Sequence, residues 1–411
     1  IQNSTADGVS LTNTEDVRLG YMNITNNLGD GIGGTNINGF FLNRVNITGN
    51  GNDAASDESG INVAELTGSA SGGTRPTAIT NSTISNNNEF ELQITNTTGT
   101  LTNFQLNSNT ISSNGLPING NASSPHGNLV NFLALGSANM TLNASGGNYT
   151  GNWNPASPPA TIVATGIQAD HSGASGTVTS NVSGATFSNL NVGPQVSNSN
   201  GGSLVFDFDG NTITGIRSSG INLFSAASTT GTVIGKFRNN ILGTLGVVGS
   251  AASLGFPLRV QNEGAANTTL LIQGNTIQES AQFAGINVNI GLSGSATQGG
   301  TQNLTIVDNI IREIDNNRAI IINQNQESPA TPAPTTFVNI SGNQFSNISG
   351  AGGDGSFIRF RESTGGTFKV TQKQATAAAD PVGPGADPGE LDDANGFNDP
   401  TKIFISGAGV I

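Results

Sequence analysis

From Leu204 to Phe360 the chain repeats one arrangement of apolar and polar positions. Phe206 and Phe208 alternate, a turn follows at Asn211, and Ile213 supplies one more apolar residue two places on. The same order recurs at Leu270, Ile272, Asn275 and Ile277, at Leu304, Ile306, Asn309 and Ile311, and at Val338, Ile340, Asn343 and Phe345. With Asn240 in the series, the later Asn positions step by 34 or 35 residues. A second short apolar strand follows each phrase, at Ile221 to Leu223, Ile286 to Ile290, Ile320 to Ile322 and Ile358 to Phe360. Alternation with period two places Phe206 and Phe208 on one face of a strand, and no stretch carries a helical i, i+3, i+4, i+7 stripe.

A phrase repeated at this interval predicts a solenoid, in which each unit buries its apolar side against its neighbours. The fold class expected is all-β: a parallel β-helix of roughly eleven or twelve coils with loop excursions. Asn at the bend suits a left-handed backbone conformation. Stacked coils would then set Asn109, Asn211, Asn240, Asn275, Asn309 and Asn343 in a turn ladder, with Phe208, Ile272, Ile306 and Ile340 as a core stack, each step about 4.8 Å.

The earlier coils are compact. Ile24 to Ile47 makes one turn of 23 residues, with Phe40 and Leu42 at the alternating positions and Val45 where later repeats carry Asn. Ile79, Ser82 and Ile84 form the next phrase, Phe90, Leu92 and Ile94 its second strand, and Phe104, Leu106, Asn109 and Ile111 the one after. Around Leu142, Tyr149, Val182 and Phe187 the phrase survives only loosely. The reading is one domain over 1–411, with polar excursions near 52–59, 117–127 and 152–159 and an acidic Pro/Gly-rich insertion over 375–399. The chain begins in mid-phrase at Val9 and Leu11, which suggests a segment of a longer protein or ends that serve assembly.

Composition narrows the partners. Only 10% of the 411 residues are charged and 57 are Gly, yet the regular Ile, Leu, Val and Phe positions separate this chain from disordered ones. A net charge of −13 argues against nucleic acid and anionic membranes, and the absence of Cys removes disulfides and thiolate chemistry. The apolar run from Ile241 to Leu258 is interrupted by Gly and Ser and reads as strand plus loop, so no membrane insertion is expected. Sequons such as Asn23-Ile24-Thr25 and Asn339-Ile340-Ser341 place Ile at a core position and read as a by-product of the repeat.

Gly210-Asn211-Thr212-Ile213 and Gly274-Asn275-Thr276-Ile277, with Ser219-Gly220-Ile221-Asn222-Leu223 and Ala284-Gly285-Ile286-Asn287-Val288 after them, resemble single-stranded right-handed parallel β-helix repeats. They are similar to those of bacterial autotransporter passengers, haemagglutinin-like adhesins and large surface repeat proteins. The resemblance covers most of the chain. It implies a right-handed coil, an extracellular or cell-surface location and a structural or adhesive role, as a segment of an adhesin or a subunit of a fibre. The expected partners are other copies end to end or neighbouring segments of a longer chain, and glycans or host and cell-surface proteins.

Because polysaccharide lyases and glycosidases share this architecture, a polysaccharide-degrading enzyme is the alternative. His126-Gly127 echoes one polygalacturonase motif, but the accompanying acidic and Arg-containing motifs are missing. His126 and His171 both fall in Gly/Ser-rich excursions, Asp207 and Asp209 should face solvent, and no catalytic residue is assigned. Candidates for ligand contact are Trp153 in its Asn/Pro loop, where an aromatic face suits sugar C–H edges, and Arg359, Arg361 and Glu362. These last three lie one coil beyond Arg312, Glu313, Asp315 and Arg318. No cofactor is expected; calcium is the one candidate ion, at Asp393 and Asn395 in the acidic insertion.

Overall fold

The computed structural model describes residues 1–51, 58–69, 77–115, 127–159, 162–291, 299–324, 334–350, 355–362, 366–370, 391, 394–396 and 399–406. The chain forms two compact units, Ile1–Ser197 and Asn198–Ile411. Each is a parallel β-helix built from a recurring triplet: a long strand, a short strand and a third strand. Among the described residues the short strand occurs six times in the first unit, from Asn23–Thr25 to Thr186–Ser188, and five times in the second, from Thr212–Thr214 to Gln344–Ile348. The calcium candidate Asp393, His126 and most of the excursions at 52–59 and 117–127 and of the insertion at 375–399 lie outside the described residues.

Register in the second unit carries one column of side chains through five long strands. Phe208 pairs with Phe237, Phe237 with Ile272, Ile272 with Ile306 and Ile306 with Ile340, all in parallel and all at most 1% exposed. The core stack predicted from the repeat is therefore continuous, with Phe237 as the member the phrase left out. The next inward column runs Phe206, Gly235, Leu270, Leu304, Val338 and Val370. Gly235 breaks the apolar alternation of its coil, which is why that coil was illegible as a phrase.

Volume explains the glycine. A Cβ on Gly235 would lie 1.9 Å from Cζ and 2.2 Å from Cε1 of Phe206, so the Phe206 ring occupies the space of the missing side chain. Gly235→Val should lower unfolding stability by roughly 1–3 kcal/mol, the usual cost of overpacking. Adding Phe206→Leu should recover part of the loss. Urea unfolding of the single and double variants checks this, and additive losses would sink the explanation.

The middle of the first unit is regular in space although not in sequence. Asn139–Ser145 pairs with Thr177–Ser183 without a register shift. Inward positions there include Ala144, Ala169 and Ser180, all at most 1% exposed, which carry too little apolar surface to announce a strand. Large rings share the interior of this region: Tyr149 stacks on Phe187 with centroids 4.9 Å apart and planes 13° apart. The Tyr149 hydroxyl is buried with no hydrogen-bond partner among the described residues, and burial pushes its pKa up. Tyr149→Phe should therefore raise stability by about 1 kcal/mol, because it removes a desolvated hydroxyl and keeps the stack. A lower thermal midpoint would contradict this.

The Asn ladder is present in the second unit, with one correction to its cause. The left-handed residue at each bend is the one before the ladder Asn: Gly210, Asn239, Gly274, Asp308 and Gly342 have φ between 53° and 68°. The ladder residues point inward and are fully buried. Asn240 Nδ2 donates to Asn275 Oδ1 (2.9 Å) and to the Phe208 carbonyl (2.9 Å), while Asn240 N also donates to Asn275 Oδ1 (3.0 Å). Asn211, Asn275, Asn309 and Asn343 extend the same chain. Each interior carboxamide thereby uses two donors and two acceptor sites, its full capacity.

Asn109, in the first unit, is not part of a continuous run. Its Oδ1 accepts from Ser82 N (3.0 Å), its Nδ2 donates to the Ile79 carbonyl (2.8 Å), and its own carbonyl accepts from Asn148 N (2.8 Å), where a Cβ on the neighbouring Gly147 would come within 2.7 Å of the same oxygen. The first unit has its own ladder at another corner, after the short strand. There Asn27 Nδ2 donates to Asn50 Oδ1 (2.7 Å), Asn50 Nδ2 to Asn87 Oδ1 (2.9 Å) and Asn87 Nδ2 to Glu91 Oε2 (2.6 Å). Its sequence signal is an Asn three residues beyond Ile24, Ile47 and Ile84.

Candidate functional site

In the second unit, three third strands, Ile286–Ile290, Ile320–Gln324 and Ile358–Glu362, pair in parallel. Pleating sends alternate residues to opposite faces. Ile286, Ile320 and Ile358 form one buried column, and Val288, Ile322 and Phe360 the next. The other face carries Asn287, Ile321 and Arg359 in one row and Asn289, Asn323 and Arg361 in the next.

A concave site of about 430 Å³ lies over this outward face. Arg318, Phe256 and Phe283 stand at its wall, with Arg359 and the Asn side chains on its floor. Arg318 is held in place: its Nε donates to Ser356 Oγ (2.5 Å) and its guanidinium sits 5.3 Å from the centre of the Phe404 ring. Phe256 and Phe283 meet edge to face with centroids 5.2 Å apart. Arg359 Nη2 donates to Asn323 Oδ1 at 2.9 Å.

Of the residues predicted for ligand contact, Arg359 lines this site. Arg361 shares its outward face one row away, whereas Glu362 points to the other side of the strand and is 6% exposed. The charged patch expected one coil earlier divides. Arg318 lines the hollow, while Arg312 is committed to Gln278 Oε1 through Nε (2.9 Å) and Nη2 (2.7 Å).

Trp153 is not an exposed platform. It is 6% exposed, its backbone N–H donates to the Asn189 carbonyl (2.7 Å), and Asn152 Oδ1 accepts from Val163 N (3.1 Å), so this loop packs inward. The calcium candidate Asn395 is likewise engaged. Its Oδ1 accepts from Asn343 N (3.2 Å) and Nδ2 (2.9 Å), and its Nδ2 donates to the Leu391 carbonyl (2.8 Å), which makes it the terminal member of the ladder. His171 is the last residue of strand Thr165–His171 and is fully buried, not in an excursion. Asp207 faces outward as expected and holds Arg238 through two contacts of 2.7 and 3.0 Å, with Asp209 at 3.1 Å. Among the described residues, no three His, Cys, Asp or Glu side chains converge as a metal site, and no helix is long and apolar enough to cross a membrane.

The first unit has a second hollow, of about 270 Å³, floored by Asp7 and Asp30. Asp30 Oδ1 accepts from Ser59 N (2.6 Å), and Asp30 N donates to Asp7 Oδ1 (3.0 Å). A Cβ on Gly33 would lie 2.5 Å from Asp7 Oδ2 and 3.2 Å from Asp30 Oδ2, so the two carboxyl groups open onto the same glycine. Burial, reinforced by the charge of Asp7, pushes the Asp30 pKa up to about 7. Neither group was singled out in the sequence, where both sit in ordinary polar turns. Compared with models of known protein families, with curated proteins and with solved structures, the chain matches none of them.

Proposed function

We propose that this chain is a structural and adhesive segment of a bacterial cell-surface or secreted protein, part of an adhesin or a subunit of an extracellular fibre. The observation that carries the reading is the contrast between the two faces of the third strands. Inward columns repeat Ile, Val and Phe in register, while outward positions change from Asn to Ile to Arg between adjacent coils. A repeat interior of this kind fixes the scaffold and leaves the exterior for recognition. The partners are copies of the chain or neighbouring segments, and glycans or proteins of a cell surface. Beads coated with the purified chain should adhere to cells or immobilised glycans, and uncoated-bead levels of adhesion on every surface would overturn the adhesive role. Filaments in negative-stain electron micrographs would favour the fibre subunit over the adhesin segment.

A second reading, glycoside hydrolysis, draws on Asp7 and Asp30. Burial raises the pKa of the Asp30 carboxyl to about 7, and a second carboxyl group shares its hollow; two carboxyl groups across a cleft, one with a raised pKa, are what glycoside hydrolysis uses. Release of reducing sugar from a polysaccharide panel, abolished by Asp30→Asn, is its expected result. No release from any member of the panel removes this reading.

A further inference from the structure

We propose that the concave face over strands Ile286–Ile290, Ile320–Gln324 and Ile358–Glu362 binds an acidic oligosaccharide, its carboxylates on guanidinium groups and its hydroxyls on a row of carboxamides. This rests on the adhesive reading and deepens it by naming the ligand class and the place.

The first support is a set of nearly buried donors. Asn287, Asn289 and Asn323 are 3%, 7% and 2% exposed, yet all three line the hollow. They form a one-way relay: Arg359 Nη2 donates to Asn323 Oδ1 (2.9 Å), Asn323 Nδ2 to Asn289 Oδ1 (2.7 Å) and Asn289 Nδ2 to Asn287 Oδ1 (2.6 Å). A primary carboxamide carries two N–H donors. The relay uses one on Asn323, one on Asn289 and neither on Asn287. The remaining N–H groups face the hollow, so the face offers ready donors to a ligand rich in oxygen acceptors. Because every bond in the relay points the same way, the amide dipoles add.

The second support is charge and shape. Arg318 and Arg359 share the hollow, and a guanidinium fork matches a carboxylate in two parallel hydrogen bonds. Phe256 and Phe283 give an apolar wall suited to the C–H face of a pyranose ring. Coils stacked about 4.8 Å apart place successive donors at a spacing of the same order as one sugar unit. An extended peptide fits less well. The central strand, Ile320–Gln324, is already paired on both sides, so the face offers no open sheet edge for strand addition.

The test is calorimetric titration of the full chain with an oligogalacturonate, its methyl ester and a sulfated oligosaccharide of equal length. The oligogalacturonate is expected to bind and the methyl ester to bind at least about tenfold more weakly, because esterification removes the charge that the guanidinium groups take. Arg359→Gln should weaken binding by about tenfold or more with an unchanged unfolding midpoint, as expected for one lost charge-assisted contact. Asn287→Asp, which puts an acceptor where the relay ends in donors, should weaken it independently. Absence of oligogalacturonate binding, or binding indifferent to both substitutions, overturns the proposal, and preference for the sulfated ligand overturns the carboxylate assignment. Adhesion to cells retained by a chain that binds no oligogalacturonate would overturn this site and leave the adhesive reading standing. Oligogalacturonate binding without adhesion would do the reverse.

Discussion

Asn275→Leu is expected to destabilise the second unit by roughly 3–5 kcal/mol, since it strands several buried polar groups at once. Asn275 Oδ1 accepts from Asn240 N (3.0 Å) and Asn240 Nδ2 (2.9 Å). Asn275 Nδ2 donates to the Phe237 carbonyl (2.9 Å) and to Asn309 Oδ1 (2.9 Å). Leucine has similar bulk and more apolar surface, so a fold held only by burial would tolerate it. The ladder makes the opposite prediction, because water cannot reach the partners left behind. Asn239→Gly one position before the ladder is the matched control. Asn239 is exposed with φ near 53°, which glycine adopts freely, and its cost should stay within about 0.5 kcal/mol. Urea unfolding followed by circular dichroism separates the two variants, and equal midpoints would refute the ladder as a stabilising element.

The wild-type chain should lose stability as pH rises from about 4.5 to about 8, and Glu91→Gln should flatten that loss. Glu91 is almost fully buried, and burial pushes its pKa up to about 8, against hydrogen bonds from Asn87 Nδ2 and N and from other donors that favour the ionised form. With the folded value above the unfolded one, the folded state holds more protons throughout that window, so unfolding becomes easier as protons leave. The contribution is complete below pH 4.5, declines by about 1.4 kcal/mol per pH unit at most, and is gone above pH 8. Asp30, raised from 3.8 to about 7, acts in the same direction over a lower window. Glutamine keeps the acceptor for Asn87 and removes the titration. Thermal midpoints measured from pH 4.5 to 8.5 should therefore fall less steeply in Glu91→Gln, and parallel curves would show that Glu91 does not titrate there.

Legibility followed apolar surface. Ile272, Ile306 and Ile340 announced their columns because each inward side chain is large, and so did the short-strand residues Ile277 and Ile311. Gly235 occupies an equivalent inward position silently because the Phe206 ring supplies its volume, and Ala144, Ala169 and Ser180 do so because their side chains carry little apolar surface. The ladder Asn residues were visible as a repeated letter, yet their cause was misplaced by one residue: Gly210, Gly274 and Gly342 make the bend, and Asn closes the hydrogen bonds. Glu91 passed unnoticed because an acid between Phe90 and Leu92 reads as an outward strand position.

Of the residues lining the hollow, Arg318 and Arg359 stood out in the sequence from charge density alone. Their companions Asn287, Asn289 and Asn323 are lost among many other Asn residues, and Phe256 and Phe283 lie far from them in the chain. They converge because parallel register sets residues roughly 30 to 40 positions apart side by side.

The order of apolar and polar residues by itself determined the strand period, the parallel coil and the columns of its interior, because a repeat can bury its alternating side chains only against copies of itself. Tertiary structure decided which polar residues became part of that interior and which gathered on an outer face. Hydrogen-bond satisfaction and coil-to-coil alignment belong to positions in space, and a single letter such as Asn serves equally as ladder, bend or recognition surface until its neighbours are fixed.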